Sequence, residues 1–173
     1  MLKPMATPMQ LPDAEALCSA LAEAMRPRID PARTVLVGIH TGGVWVAERL
    51  HAALGLTIPS GSMDVSFYRD DFNQRGLHAN ARASHIPFDV DGAHVVIVDD
   101  VLYTGRTIRA AMNELFDFGR PARIDLAVLT DRGGRELPIE PTFCPHSLSL
   151  PAAQMLALER AAAGRLSFRV MEK

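Results

Sequence analysis

The residues best placed to do chemistry are two adjacent acids, Asp99 and Asp100, followed closely by the run Thr104-Gly105-Arg106-Thr107. A loop of small and hydroxyl residues at the start of a helix cradles anions, because the first helical N–H groups lack backbone acceptors and the helix dipole is positive there. Gly105 lets the backbone approach an oxyanion, and Thr104 and Thr107 add hydroxyl donors. The acids repel phosphate, so they suit the hydroxyls of a sugar attached to it, or a metal. A sugar phosphate satisfies both halves. The purely structural alternative is an Asp-Asp turn with Thr104 or Thr107 as a helix cap.

These residues need a strand before them and a helix after them, and the sequence supplies both. Val95-Val96-Ile97-Val98 is a continuous aliphatic run, the pattern of a parallel strand buried on both faces. Ile108, Ala111, Met112, Leu115 and Phe116 follow at helical spacing, and Gly119 and Pro121 stop that helix. Upstream, Asp13 caps a helix with Leu17, Leu21 and Met25 on one face, ended by Pro27. A strand is predicted over residues 35–39 and a helix over 44–54, with Val44, Ala47, Leu50 and Leu54 inward and Trp45 and His51 at a core edge or interface. Further strands are predicted over 63–68 and 123–129, with Asp91-Gly92 as a turn. Strands alternating with helices make βαβ units, a mostly parallel sheet, and ligands at the carboxyl ends of the strands.

Other candidate loops lie at those ends. Thr41-Gly42-Gly43 follows the 35–39 strand and leaves backbone N–H groups open to an anion. Residues 69–85 are polar and without hydrophobic period, as in a lid or a surface excursion. Thr130 to Ile139 follows the 123–129 strand and carries Asp131, Arg132, Arg135, Glu136 and Leu137; its arginines either face a ligand or pair with Asp131 and Glu136.

The 173 residues contain 48% hydrophobic and 22% charged residues with a net charge of −2, which suits one α/β domain over residues 1–173 and lacks the basicity usual in nucleic-acid binders. Cys18 and Cys144 stand far apart, with no CxxC or Cys/His cluster, so reduced thiols are expected rather than a disulfide framework or zinc site. With no apolar run near the ~20 residues of a membrane span and no leader-like N-terminus, a cytoplasmic location and no membrane partner are expected.

The run from Val95 to Thr107 resembles the phosphoribosyl-pyrophosphate motif of the type I phosphoribosyltransferases. Val37-Gly38-Ile39-His40-Thr41-Gly42-Gly43-Val44, Phe67-Tyr68-Arg69-Asp70-Asp71, Ile86-Pro87-Phe88-Asp89-Val90 and the Asp131-to-Ile139 stretch narrow the likeness to the PyrR family of pyrimidine-operon regulators and uracil phosphoribosyltransferases. The likeness runs from about Leu11 onward. It implies the type I phosphoribosyltransferase fold, a mostly parallel central sheet flanked by helices, with a flexible lid at about 69–85 and a hood with a C-terminal β-hairpin within about 131–173. The hairpin strands fall at 154–158 and 165–170 with a turn at Gly164, although residues 156–163 read as helix on propensity.

The implied activity is pyrimidine salvage: uracil and 5-phosphoribosyl 1-diphosphate (PRPP) give UMP and diphosphate. Asp99, Asp100 and Arg69 are the implied catalytic residues. Val101, Leu102, Tyr103, Thr104, Gly105, Arg106 and Thr107 form the 5-phosphate loop; Thr41, Gly42 and Gly43 form the pyrophosphate loop; Asp131, Arg132 and Leu137 line the base pocket. Mg²⁺ is the implied cofactor, held mainly by substrate, so no protein metal ligands are assigned. A homo-oligomer, dimer or higher, is implied too.

Two departures from the family pattern matter. The family places a basic residue where Gly42 stands, so pyrophosphate binding here falls to backbone donors, the metal and a basic residue from elsewhere, and Gly42→Arg is expected to raise activity or donor affinity. The other family activity, UMP-dependent binding of messenger-RNA leaders to attenuate transcription, relies on cations that meet phosphates; Gly134, Glu140 and His146 stand at the corresponding positions. RNA is therefore ranked below uracil and PRPP as a partner, alongside a nucleotide sensor with little turnover as a third reading. Filter binding at physiological salt is expected to find no preference between a pyrimidine-leader hairpin and a scrambled one, with or without UMP; a UMP-dependent preference of about a hundredfold reverses that ranking.

Overall fold

The computed structural model describes residues 9–66 and 83–173. Helix α1 (Ala14–Met25) starts where the Asp13 carboxylate accepts from the N–H groups of Glu15 and Ala16, and it gives way at Met25 to a 3₁₀ turn containing Pro27. Then follow β1 (Thr34–Ile39), α2 (Gly42–Leu54), β2 (Gly61–Met63), β3 (His94–Leu102), α3 (Arg106–Phe118), β4 (Arg123–Asp131), β5 (His146–Ser147), β6 (Gln154–Arg160) and β7 (Leu166–Glu172).

Strands β1 to β5 form one parallel sheet in the order β2-β1-β3-β4-β5. Alternate residues of its central strands supply two different cores. Leu36, Val96, Val98, Ala127 and Leu129 face α1, α2 and the β6–β7 hairpin. Val35, Val37, Val95, Ile97, Leu126 and Val128 face α3 through Ile108, Ala111 and Leu115. Burial on both faces explains the unbroken aliphatic runs; each such side chain taken fully out of water contributes about 1.5–3 kcal/mol.

Three sequence expectations shift. Helix α2 begins at Gly42, two residues early, so Val46 rather than Val44 joins Ala47, Leu50 and Leu54 in the core. Trp45 is half-buried under the Arg160 guanidinium, and His51 Nε2 meets the Ile58 carbonyl at 2.9 Å. The strand expected at 63–68 ends at Met63, because Asp64 turns the chain by accepting from the Ser66 N–H; Phe67 and Tyr68 lie outside the described residues. Of the 69–85 segment only Ala83 to His85 is described, and His85 exchanges two backbone hydrogen bonds of 2.8 Å with Ser62, so that end is tied to the edge of β2.

Residues 154–172 form the antiparallel hairpin, with Leu158 opposite Phe168 and the turn closed by Gly164 at φ 90°. Helix propensity loses because Leu156, Leu158, Leu166 and Phe168 recur at period two and all bury against the α1–α2 layer. Polar contacts fix the docking: Arg49 binds both Glu15 oxygens and the Gly164 carbonyl, and Glu15 accepts from the Leu166 N–H. Arg49 holds the Glu15 carboxyl below its ordinary range. Cys18 is buried, which pushes its thiol up to about 11, and Cys144 is half-buried with its thiol also raised by burial; both are free.

At the amino ends of the strands, Asp125 is 6% exposed and accepts from His94 Nε2 (2.7 Å), both guanidinium arms of Arg123 (2.9 and 3.1 Å) and Thr142 (3.2 Å). Burial pushes this carboxyl up, and the bonds from Arg123 and His94 outweigh it, leaving the group below its ordinary value. A carboxyl depressed on folding stabilises above its unfolded pKa of about 4 and loses that contribution as pH falls through the folded value. Asp125→Asn should therefore cost about 1.5–3 kcal/mol in denaturant unfolding at neutral pH, with the gap to wild type shrinking below about pH 4; a constant gap across that range contradicts this assignment.

Candidate active site

The acid pair lies inside β3 rather than in the loop after it, with Asp99 in register with Val128 of β4. Each acid is oriented by the next residue: Asp99 Oδ1 accepts from the Asp100 N–H and Asp100 Oδ1 from the Val101 N–H, both at 2.9 Å. Asp99 is 6% exposed and Asp100 half-buried. Beyond them the chain crosses Tyr103, Thr104 and Gly105 into α3. Gly105 has φ 91°, and a Cβ there would come within 2.9 Å of Ile139 Cγ1, so glycine is required on both counts. Thr104 Oγ1 accepts from the Arg106 N–H at 3.3 Å, while the N-cap position is Gly105, which has no side-chain cap.

The loop's outward carbonyls are all held by the 131–139 segment. Leu102 accepts from the Arg132 N–H, Thr104 from the N–H groups of Glu136 and Leu137, and Tyr103 from Arg135 Nη1 at 2.7 Å. Arg135 also pairs with Asp131 at 2.6 Å, holding that carboxyl below its ordinary range. Arg106 Nε meets Glu136 at 2.8 Å. With its carbonyls turned outward, the loop presents a cavity of about 240 Å³ lined by Asp99, Val101 to Ile108 and Lys173.

A second cavity of about 370 Å³ adjoins it, sharing Asp99, Val101, Tyr103, Thr107 and Lys173, and is further bounded by Thr41, Gly42, Asp100, Arg132 and residues Met155 to Leu158 of β6. The sequence-predicted residues thus converge unequally. Asp99, Asp100, Thr41, Gly42, Thr107 and Arg132 meet in this space, and Gly43 is buried beneath it, where a Cβ would lie 3.1 Å from Asp99 Cα. Arg132, 6% exposed, stacks 3.9 Å from the Tyr103 ring centroid and donates to the carbonyls of Gln154 and Pro151. Asp131 and Leu137 do not line this cavity; Asp131 pairs with Arg135 and the Leu137 N–H donates to the Thr104 carbonyl. Arg69 lies outside the described residues. Sequence reading missed the β6 wall and Lys173, since an Ala- and Leu-rich strand and a lone lysine carry no local sign of facing a ligand.

A parallel sheet with an acid pair and a hydroxyl-rich loop at the carboxyl end of a central strand defines a phosphoribosyl-transfer site, and residues 9–147 match the phosphoribosyl transferase domain family. By fold the chain is similar to a hypoxanthine phosphoribosyltransferase from Staphylococcus aureus (TM-score 0.62, 20% identity, covering 79% of this chain and 73% of that one). It is also similar to a hypoxanthine-guanine phosphoribosyltransferase from Bacillus anthracis (TM-score 0.63, 14% identity, 81% and 86% covered). Those likenesses establish the type I phosphoribosyltransferase fold. In sequence the chain is 53% identical over 145 residues to the Bifunctional protein PyrR of Pseudomonas aeruginosa PAO1, covering 82% of this chain and 85% of that protein. It is 49% identical over 153 residues to that of Pseudomonas fluorescens Pf-5, covering 87% and 91%. The chain belongs to the PyrR family.

The geometry adds a steric cost to any side chain at Gly42. A Cβ at this position would lie 2.7 Å from Asp100 Cγ, closer still to its outer oxygen, so any side chain there must first rotate the carboxylate. Gly42→Ala, which adds no charge, should lower turnover by about tenfold or more with little change in melting temperature, on the scale of displacing one preorganised electrostatic group. Full activity in the alanine variant would mean that Asp100 tolerates the displaced conformation.

Proposed function

We propose that this chain is a uracil phosphoribosyltransferase that converts uracil and PRPP to UMP and diphosphate. The observation that carries the reading is that Asp99 borders both cavities, so the acid pair stands between a loop suited to phosphate and a space bounded by the Thr41-Gly42 turn and β6. A phosphoribosyl donor has that layout, with a phosphate at one end, hydroxyls in the middle and a leaving diphosphate at the other.

In this reading Thr104, Thr107 and the N–H groups at the start of α3 grip the 5-phosphate. Asp99 and Asp100 accept from the ribose hydroxyls and stabilise the positive charge that develops on the ring as the C1–O bond to diphosphate breaks. Backbone N–H groups of the Thr41-Gly42 turn face the leaving group. Uracil N1 forms the new bond to C1 as the C1–O bond breaks, its proton passing to the departing diphosphate, with the ring held beside Arg132 and β6. No covalent nucleophile is required; the residues position and stabilise.

Mg²⁺ is the proposed cofactor. Among the described residues no three or more His, Cys, Asp or Glu side chains converge on a metal position. Two carboxylates beside a phosphate site suit Mg²⁺, which typically takes one or two carboxylates and completes its shell with substrate oxygens and water. When bound it would neutralise charge on the leaving diphosphate.

The regulatory reading, UMP-dependent RNA binding, ranks second because two of the arginines beside the site are committed to internal ion pairs, Arg135 to Asp131 and Arg106 to Glu136. No helix among the described residues is long and apolar enough to cross a membrane. The deciding assay is turnover with uracil, PRPP and Mg²⁺, run beside hypoxanthine, guanine and orotate. UMP formation selective for uracil is expected, and Asp100→Asn should lower kcat by about a hundredfold while the melting temperature stays near wild type. An unchanged rate with a large loss of stability would make the acids structural.

A further inference from the structure

We propose that Lys173 is a binding residue for the 5-phosphate, supplying a cation beside the loop's own Arg106, which is paired with Glu136. The inference rests on the phosphoribosyl-transfer reading of the site. A phosphate monoester near neutral pH carries close to two negative charges, and the loop's cavity already contains the Asp99 carboxylate. Hydroxyls and N–H groups bind phosphate but carry no net charge to offset that repulsion.

Two cations line the cavity, Arg106 and Lys173. The Arg106 side chain is paired, with Nε at 2.8 Å from Glu136. Lys173, itself exposed, differs in its partners. Its backbone N–H donates to the Ala153 carbonyl at 2.8 Å, which pins the end of β7 beside the start of β6. Its ammonium lies 4.9 Å from the centroid of the Tyr103 ring, inside the range where a cation is attracted to an aromatic face. Among the described residues it forms no ion pair. It lines both cavities, and it is the only lysine among the described residues.

The arrangement gives Tyr103 a second task. Its carbonyl is held by Arg135 and its ring stacks on Arg132, so it is fixed from two sides. A fixed ring holds the flexible lysine near the cavity without neutralising it, as a carboxylate partner would. The ammonium then has three donors for phosphate oxygens in a charge-assisted contact. The hairpin that walls the second cavity thus also brings a cation to the first.

The test is calorimetric titration of the full chain with UMP, ribose 5-phosphate, uridine and diphosphate, for wild type, Lys173→Met and Lys173→Arg. Lys173→Met should weaken UMP and ribose 5-phosphate binding by about tenfold or more, leave uridine and diphosphate within about twofold, and flatten the salt dependence of UMP binding; Lys173→Arg should restore most of the loss. Equal weakening of uridine, or a fall in melting temperature with phosphate affinity unchanged, would assign Lys173 to packing and overturn the inference. Weakening of diphosphate alone would place the cation at the leaving group and also overturn it. A wild type that binds ribose 5-phosphate through Lys173 but makes no UMP would keep this inference and sink the transferase reading. Active wild type with Lys173→Met binding unaltered would sink this inference alone.

Discussion

Two carboxylates stand beside a cavity suited to a dianion, and the repulsion between them is the constraint on which the rest of the site depends. At the separation of neighbouring groups, even with an effective dielectric near 20, unit charges interact by about 4 kcal/mol. A site that must hold both needs fixed donors aimed at the anion and a neutral spacer that uses the acids. The start of α3 provides the donors, and each carboxylate is steered by the next N–H along β3. A sugar is the spacer that turns the conflict into recognition, because its hydroxyls want acceptors where its phosphate wants donors.

Holding that arrangement is the task of the 131–139 segment. It binds the carbonyls of Leu102, Tyr103 and Thr104 from behind and so orients the whole loop. Its own charges are spent on this: Asp131 on Arg135, Glu136 on Arg106. Most of the charges in this segment are engaged in bracing the loop, while Arg132 lines the second cavity. The parallel sheet makes the brace possible by ending β3 and β4 side by side, with Leu102 in register with Asp131.

How much could be read beforehand follows from the range of the forces. The doubly buried strands, the Asp13 cap, the helix stop at Gly119 and the acid-and-hydroxyl run are local patterns, and the structure has each within a few residues of its expected place. Starts and ends moved where a single side chain or a close approach decided them, as Asp64 did for β2 and the glycines did for α2. The hairpin needed the resemblance, because its period-two burial competes with strong helix propensity and only the α1–α2 surface settles the contest. The β6 wall, Lys173 and the outward role of Asp131 depend on contacts between segments far apart in the chain, which no local pattern encodes.

The contact between position 42 and Asp100 has an evolutionary consequence. A bare backbone at 42 leaves room for this carboxylate conformation, so the residue chosen at 42 is coupled to the rotamer of Asp100. A lineage carrying a side chain at 42 must shift its second acid's carboxylate, and gaining that side chain without the shift passes through a misfit intermediate. Sequences on the two sides of that step would therefore be expected to keep their own pairing, and chimeras that exchange the turn without the strand would inherit the mismatch.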